Sequence, residues 1–253
     1  MARETEKGNW TLFIERGEGK LDDEVFLDQA WCGDVLTMCP HLCVSKWQWL
    51  CSAAGEGSPI PDLQWQWLCS AAAAVTLDPD TAHCGLSLSE DGKRVKLGQR
   101  KSLSDNPHRF DYIKCVVSRE AFTSGRHYWE VEVNEWWRTG VTRESAERKG
   151  DFSFSPQQGY WCLESYPGFC ALTDPETDLP SRLWPRKLGV CVDIEERKVS
   201  FYTVESRAHL YTFTDMVLTQ GEKIYPDFWT VDSVKDLELL PAVSVEINPI
   251  TDL

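Results

Sequence analysis

The chain has 253 residues, with 26 basic and 40 acidic side chains and a formal net charge of -14. This acidic balance argues against a nucleic-acid partner, because binding to phosphates depends on Lys and Arg, and against docking on an anionic membrane surface. Hydrophobic residues make up 42% of the chain, which is typical of a globular protein and excludes wholesale disorder.

Three features bear on the compartment. No segment approaches the roughly 18 apolar residues that cross a bilayer, so no membrane span is predicted. The N-terminal segment is charged throughout and lacks the apolar region of a signal peptide. The 10 Cys are irregularly spaced in a chain that is long for a small disulfide framework. We therefore expect reduced thiols and a cytoplasmic location.

Residues 1–74 differ in composition from the rest of the chain. They hold six of the 12 Trp and five of the 10 Cys. Within them the octapeptide Trp-Gln-Trp-Leu-Cys-Ser-Ala-Ala occurs twice, at 47–54 and at 65–72. Two copies are too few for a solenoid, which needs at least about three.

Two interpretations of this repeat stay open. The paired Trp side chains could be exposed anchors for a partner, or the repeat is a short duplication within a poorly ordered extension. We favour the second, and treat residues 1–74 as an extension in which Leu21 to Trp31 could form a short helix.

From Val75 onward the pattern is that of β-strands. Residues 86–97 alternate apolar and polar around a Glu-Asp-Gly turn, which predicts a hairpin. Residues 127–133 alternate strictly, with Trp129, Val131 and Val133 on one face. A second hairpin is predicted over 188–204 and a closing strand over 242–247. Short strands between Gly, Pro and Asp turns indicate an all-β fold, a two-sheet sandwich.

Several collinear motifs then resemble one family, the B30.2 (PRY-SPRY) domain. The resemblance covers residues 75–253, with a PRY part over about 75–125 and a SPRY part over about 126–253. Its strings include Val75-Thr-Leu-Asp-Pro-Asp-Thr-Ala-His83, Asn106-Pro-His-Arg-Phe-Asp111 and Phe122-Thr-Ser-Gly-Arg-His-Tyr-Trp-Glu-Val-Glu-Val133.

The resemblance implies a bent sandwich of two antiparallel sheets with a short helical piece at its N-terminal edge. It also implies protein recognition through loops at one end, as in tripartite-motif (TRIM) ubiquitin ligases and butyrophilins, and suggests innate-immune or ubiquitin-pathway scaffolding. A rigid scaffold tolerates such variable loops. The partner protein itself cannot be chosen from the sequence.

No catalytic motif, phosphate loop or dinucleotide-binding loop is present in the sequence. We therefore predict a protein that is not an enzyme and that has no cofactor. Cys32, Cys39 and Cys43 lie near His41, but their spacing is unlike that of structural zinc sites, so no metal is predicted. Without a zinc-binding RING, the chain could serve ubiquitination only by presenting a target.

The resemblance maps the recognition surface onto loops 97–105, 134–139, 164–169 and 228–232. In the second loop, Trp137 matches the core-facing Trp of the family, which leaves Trp136 to face solvent. The alternative is that these aromatic rings belong to the core. The acidic residues of these loops would favour a basic partner. The predicted contact residues are Trp136, Arg138, Glu164, Tyr166, Phe169, Phe228, Trp229 and Asp232.

A small phosphate ligand is the main alternative, since some butyrophilin domains bind a pyrophosphate in a basic pocket. Phosphate recognition needs converging cations. Only Arg138, with help from His127, remains near the matching position, so we do not expect a phosphate ligand. A secreted, venom-type relative of the same fold is a third possibility, which the missing signal sequence disfavours.

Overall fold

The structure is a computed structural model that describes residues 59–243 together with three short strands nearer the N-terminus. The chain divides into two compact units, Met1–Ala53 and Ala54–Leu253. In the first unit, β1 (Ala2–Glu4), β2 (Trp10–Leu12) and β3 (Val25–Leu27) form a small antiparallel sheet.

Some predictions fall on this first unit. The helix predicted at 21–31 is wrong at its centre, because residues 25–27 are a strand that pairs with β2. The cysteines considered for zinc and the octapeptide at 47–54 lie outside the described residues. In the part of the chain that the structure describes, no helix has the length and apolar character needed to cross a bilayer.

The second unit contains a seven-stranded antiparallel sheet with the order β14-β13-β12-β7-β16-β5-β4. Both predicted hairpins are confirmed, as the β4–β5 and β12–β13 pairs. The strands of this sheet are β4 (Leu86–Leu88), β5 (Arg94–Leu97), β7 (Arg126–Glu132), β12 (Lys187–Asp193), β13 (Lys198–Thr203), β14 (His209–Phe213) and β16 (Leu237–Leu239).

Facing it is a six-stranded sheet with the order β11-β10-β9-β8-β15-β6. Its strands are β6 (Cys115–Val117), β8 (Trp137–Arg143), β9 (Tyr160–Glu164), β10 (Cys170–Ala171), β11 (Thr177–Asp178) and β15 (Ile224–Thr230). Two 3-10 turns, Pro156–Gln158 and Ser181–Leu183, precede β9 and β12. The predicted two-sheet sandwich is thereby confirmed.

The core lies between the two sheets and follows the period-two alternation of the strands. Trp129, Val131 and Val133 all belong to it, as their alternation predicted. Trp137 and Val141 point into the core from β8, whereas the intervening Arg138 points away from it because successive side chains alternate between faces.

The ends of the domain differ from the prediction in two places. The last described strand is β16, and the closing strand predicted at 242–247 is absent from residues 242–243, the only part of it that the structure describes. At the other end, a helix, α1 (Asp62–Cys69), lies within the second octapeptide. It fits the helical piece that the resemblance implied, while the boundary at residue 75 stays a prediction.

Candidate protein-interaction surface

One end of the sandwich brings together the loops that the sequence singled out. Antiparallel pairing places the end of β7 beside the start of β12, and the start of β8 beside the ends of β9 and β15. The backbone N–H of Leu97 donates to Asp232 O at 2.8 Å, which joins the two sheets there. We call this region the loop end; it comprises residues 133–136, 165–169, 180–186, 204–208 and 231–236, and the start of 97–105.

Two neighbouring aromatic side chains, one from segment 133–136 and one from segment 165–169, are exposed at the loop end. Trp136 is 46% exposed and Tyr166 is 54% exposed, and their ring centroids are 6.1 Å apart. The prediction that Trp137 faces the core while Trp136 faces solvent is confirmed, since Trp137 is fully buried. The solvent-facing pair is the kind of rigid apolar area that protein interfaces use. That these two side chains contact a partner stays a prediction.

Hydrogen bonds hold the loop that carries Trp136. Buried Asn134 donates from Nδ2 to Thr230 Oγ1 at 2.8 Å, and Thr230 Oγ1 donates to the Trp136 carbonyl at 2.9 Å. Ser165 Oγ accepts from the Trp137 N–H at 2.8 Å and donates to the Glu135 carbonyl at 2.9 Å. Because these contacts satisfy the backbone on both sides of Trp136, the exposed ring is presented from a fixed loop.

Asp232 was predicted as an acidic contact residue, but it does not present its carboxylate to a partner. Its side chain is buried and caps its own turn, accepting from the N–H groups of Val234 at 2.8 Å and Lys235 at 3.0 Å. Burial alone would raise the pKa of Asp232, but these backbone donors hold it below the usual value. The role that the structure gives Asp232 is to shape the loop.

Phe169 and Phe228 are also corrected, because both are core residues. Phe228 is fully buried and Phe169 is 6% exposed. Phe169 packs against Trp137 on one side, with centroids 6.2 Å apart, and against Trp184 on the other, at 5.5 Å. Neither Phe offers a side chain to a partner, since each fills space between the sheets.

The remaining predicted residues lie in one row on the outer face of the six-stranded sheet. Pairing aligns Trp229 with Arg138, and Arg138 with Glu164. Arg138 is 4% exposed and lies 3.1 Å from the ring centroid of Phe154 and 5.2 Å from that of Trp229. Arg138, predicted as a contact residue, is therefore buried and not available to a partner, whereas Glu164 and Trp229 are half-buried.

Arg138 is surrounded by groups that carry or can take negative charge. It donates from Nη2 to Cys115 Sγ at 3.1 Å. Burial alone would lower the pKa of Arg138, but Cys115, Asp227 and Glu164 hold it above the usual value. Burial raises the pKa of Glu164, and Arg138 opposes that shift. The positive charge of the Arg138 guanidinium is thus stabilised by side chains of the same sheet.

Asp227 is a buried member of this cluster that the sequence analysis missed. It is fully buried, and burial raises its pKa to about 6 against the opposing charges of Arg138 and Arg148. Its place on β15, two residues before Trp229, was a usable signal, because period two puts both side chains on the same face.

His127 does not converge with Arg138. It lies near the start of β7 in the seven-stranded sheet, whereas Arg138 lies at the start of β8 in the other sheet. The imidazole of His127 stacks on Phe122 at 3.8 Å between centroids. In addition, the described residues contain no group of three or more His, Cys, Asp or Glu side chains arranged to hold a metal ion.

A groove beside Trp184 was also missed. Trp184 is 43% exposed and lies between the Ser181–Leu183 turn and the β13–β14 hairpin. The signal in the sequence was an aromatic residue followed by Pro and flanked by two Arg. The groove has a volume of about 490 Å³ and is lined by Arg182, Leu183, Trp184, Arg186, Thr203, Glu205 and Ser206.

Comparisons with known proteins agree with this architecture. Residues 75–122 match the model of the PRY (SPRY-associated) domain, and residues 126–246 match that of the SPRY domain. Together the two matches cover most of the chain. They coincide with the part of the second unit that forms the sandwich.

Curated relatives match the same region. Butyrophilin subfamily 1 member A1 of Bos taurus is 49% identical over 144 residues, covering 55% of this chain and 27% of the relative. The erythroid membrane-associated protein of Homo sapiens is 46% identical over 146 residues, covering 56% and 31%. The matched region thus spans about a third or less of these relatives.

Solved structures share the fold. The TRIM65 PSpry domain superposes with a TM-score of 0.58 at 23% identity, covering 73% of this chain and 97% of that one. A stonustoxin structure gives a TM-score of 0.59 at 30% identity, covering 68% and 29%. With both domain models matched in order over one sandwich, the chain belongs to the B30.2 (PRY-SPRY) family.

Proposed function

We propose that this chain is a non-enzymatic interaction module that binds a partner protein through the loop end. The observation that carries the proposal is the exposed pair of Trp136 and Tyr166 on a hydrogen-bonded loop. Large rings with few rotatable bonds lose little entropy when they are buried in an interface. Trp184, exposed beside its groove, extends this aromatic surface.

The two carboxylates that were predicted to contact a partner, Asp232 and Glu164, do not specify its charge. Asp232 is buried and Glu164 faces Arg138, so neither projects a free carboxylate from the loop end. Exposed charges of both signs, Arg182, Arg186 and Glu205, lie near Trp184 instead. We therefore expect affinity to depend on apolar burial more than on ionic strength.

The binding experiment compares proteins captured by the full chain and by variants. We expect Trp136→Ala with Tyr166→Ala to reduce capture of a specific partner by about tenfold or more, the scale of a hot spot. Val217→Ala is the matched control, because Val217 is 69% exposed at the opposite end of the sandwich. Retention of every partner by a folded double variant would contradict the proposal.

We also propose that the module works in the cytoplasm, in innate-immune or ubiquitin-pathway scaffolding. The described cysteines, Cys69, Cys84, Cys115, Cys162, Cys170 and Cys191, are all free thiols, which suits a reducing compartment. In ubiquitination the chain would present a target, so no ubiquitin chains should form in an assay without another ligase. Chain formation in that assay would contradict the non-enzymatic role.

A small phosphate ligand has less support. Arg138 lies under Phe154 among acidic neighbours, and His127 is on the other sheet. We expect no heat when pyrophosphate is titrated into the chain in a calorimeter, and saturable heat at micromolar concentration would restore this alternative.

A further inference from the structure

An irregular loop, residues 98–106, follows β5 and is exposed over most of its length. The Lys101 N–H donates to a backbone carbonyl at 2.9 Å, and the Ser104 carbonyl accepts from Arg109 Nε at 3.1 Å. Between these two contacts, Ser102 is exposed and makes no hydrogen bond with any described residue. Its hydroxyl is therefore accessible to an enzyme, on a short stretch that can extend outwards without breaking a sheet.

The residues next to Ser102 carry a charge pattern that suits one class of kinase. Arg100 and Lys101 stand two positions and one position before it, and both are exposed. Kinases select their substrates partly by such charge patterns. The one carboxylate of the loop, Asp105, is already paired with Lys149 at 2.5 Å. A kinase that selects basic residues therefore fits this loop better than one that selects acidic residues.

Three cations lie near the start of the loop without a counter-charge. We call them the cation cluster: Arg100, Lys101 and Lys114. Burial lowers the pKa of His83, and the charges of Lys114 and Arg100 lower it further while Asp111 opposes them, so both cations lie close to one imidazole. No member of the cluster forms an ion pair with a described residue, although the chain as a whole has a net charge of -14.

We propose that Ser102 is a phosphorylation site for a serine kinase that selects basic residues before the acceptor, and that the phosphate then pairs with the cation cluster. The Ser102 oxygen attacks the γ-phosphorus of ATP, the bond from that phosphorus to the bridging oxygen breaks, and ADP leaves. The hydroxyl proton passes to the catalytic carboxylate of the kinase. The product carries about -1.5 to -2 charges and three acceptor oxygens, which suit charge-assisted hydrogen bonds with Lys and Arg.

The first test incubates the full chain with ATP and the catalytic subunit of cAMP-dependent protein kinase, which selects basic residues before its acceptor. Tandem mass spectrometry locates the phosphate, which we expect at Ser102. Arg100→Gln combined with Lys101→Gln should slow phosphate incorporation by about tenfold or more, because both selected charges are lost. The absence of phosphate at Ser102, or an unchanged rate in the double variant, would overturn the proposal.

Two single substitutions check the assignment of the acceptor. Ser104→Ala, the matched change two residues further on, should leave the rate of phosphorylation unchanged. Ser102→Ala should abolish phosphorylation of the loop without shifting the urea midpoint, because the side chain is exposed and unbonded in the described structure. Phosphate that stays in the loop of Ser102→Ala at the original rate would show that another residue is the acceptor, and would overturn the site.

The second test asks whether the phosphate meets the cation cluster in the folded chain. ³¹P NMR follows the second pKa of the phosphoserine, which is ordinarily about 6. Nearby cations favour the dianion, so this pKa should be lower in the folded protein than in the same protein unfolded in urea. Equal pKa values in the folded and unfolded protein would overturn the pairing.

One lysine of the cluster separates pairing from recognition by the kinase. Lys114 is twelve residues from Ser102 in sequence, so Lys114→Gln should leave the rate of phosphorylation unchanged but raise the pKa of the phosphate towards its unfolded value. Lys198→Gln is the matched control, because Lys198 lies on β13, towards the other edge of the seven-stranded sheet from β5. Equal phosphate pKa values in these two variants would overturn the role of Lys114.

Discussion

The two outer faces of the sandwich are both covered by the chain itself, but by different chemistry. On the seven-stranded sheet, α1 buries Leu68 and Cys69 and lays Trp65 against two tyrosines. On the six-stranded sheet, Arg138 is buried against the ring of Phe154, and the charge of Arg138 acts on the buried Asp227. Apolar groups gain from burial against any apolar neighbour, whereas each buried charge depends on its counter-charge.

The largest expected effect lies on the charged face. Arg138→Ala would leave Asp227 buried without a main counter-charge, so we expect a loss of about 3–5 kcal/mol in the free energy of unfolding. Urea denaturation measures it. Arg119→Ala, at an exposed position, is the control. Equal losses in the two variants would contradict the expected dependence of buried Asp227 on Arg138.

A substitution in the apolar cover, α1, should lower the free energy of unfolding by slightly less than Arg138→Ala does. Leu68→Ala removes a fully buried side chain and should lower the free energy of unfolding by about 3 kcal/mol, through lost transfer energy and the cavity left behind. Leu63 lies on the same helix but is 79% exposed, so Leu63→Ala should change stability by less than about 0.5 kcal/mol. Similar losses for both would mean that α1 does not dock through Leu68.

A pH series separates the faces further. Because the pKa of Asp227 is raised to about 6 in the folded chain from 3.8, the folded state binds this proton more tightly than the unfolded state. Its contribution therefore destabilises the fold above about pH 6, and stability is regained as the pH falls towards about 4.

The comparison is made with Asp227→Asn at pH 7 and pH 4.5. The original chain should gain about 2 kcal/mol relative to the variant on acidification. Glu164, whose pKa is also raised by burial, is present in both proteins and cancels. Identical pH profiles would show that Asp227 does not titrate in this range.

The smallest effect is expected at the edge of the apolar cover. Asp62→Asn removes the exposed pair with Arg207, and solvent screening leaves such pairs little net energy. We expect no shift in the urea midpoint beyond experimental error. A clear shift would show that this exposed ion pair contributes to holding α1 on the sheet.

The sequence predicts burial correctly where a strand residue can face only the core or the solvent. Along residues 127–133, period two with one apolar face required Trp129, Val131 and Val133 to share the core, and they do. Of the adjacent Trp136 and Trp137, one had to face inward and the other outward, and the structure has Trp137 inside.

The prediction of exposure is wrong where side chains from another segment cover the outer face of a strand. Arg138 and Trp229 point away from the core, which predicts exposure, but Phe154 and its neighbours bury Arg138 from the outside. Phe228 was counted as an exposed anchor although it follows the inward period of β15. The signal at Trp184, an aromatic residue followed by Pro and flanked by two Arg, went unused, because the sequence does not show that the β13–β14 hairpin forms a groove beside this ring.

By itself the sequence determined the family, the two-sheet sandwich and the end at which its loops meet, because strand alternation and collinear motifs are local properties of the chain. Tertiary structure decided which of the proposed contact residues reach solvent. Trp136 and Tyr166 do, whereas Phe169, Phe228, Arg138 and Asp232 do not. Exposure depends on segments distant in sequence, since a side chain is buried by whatever packs over it rather than by its own neighbours.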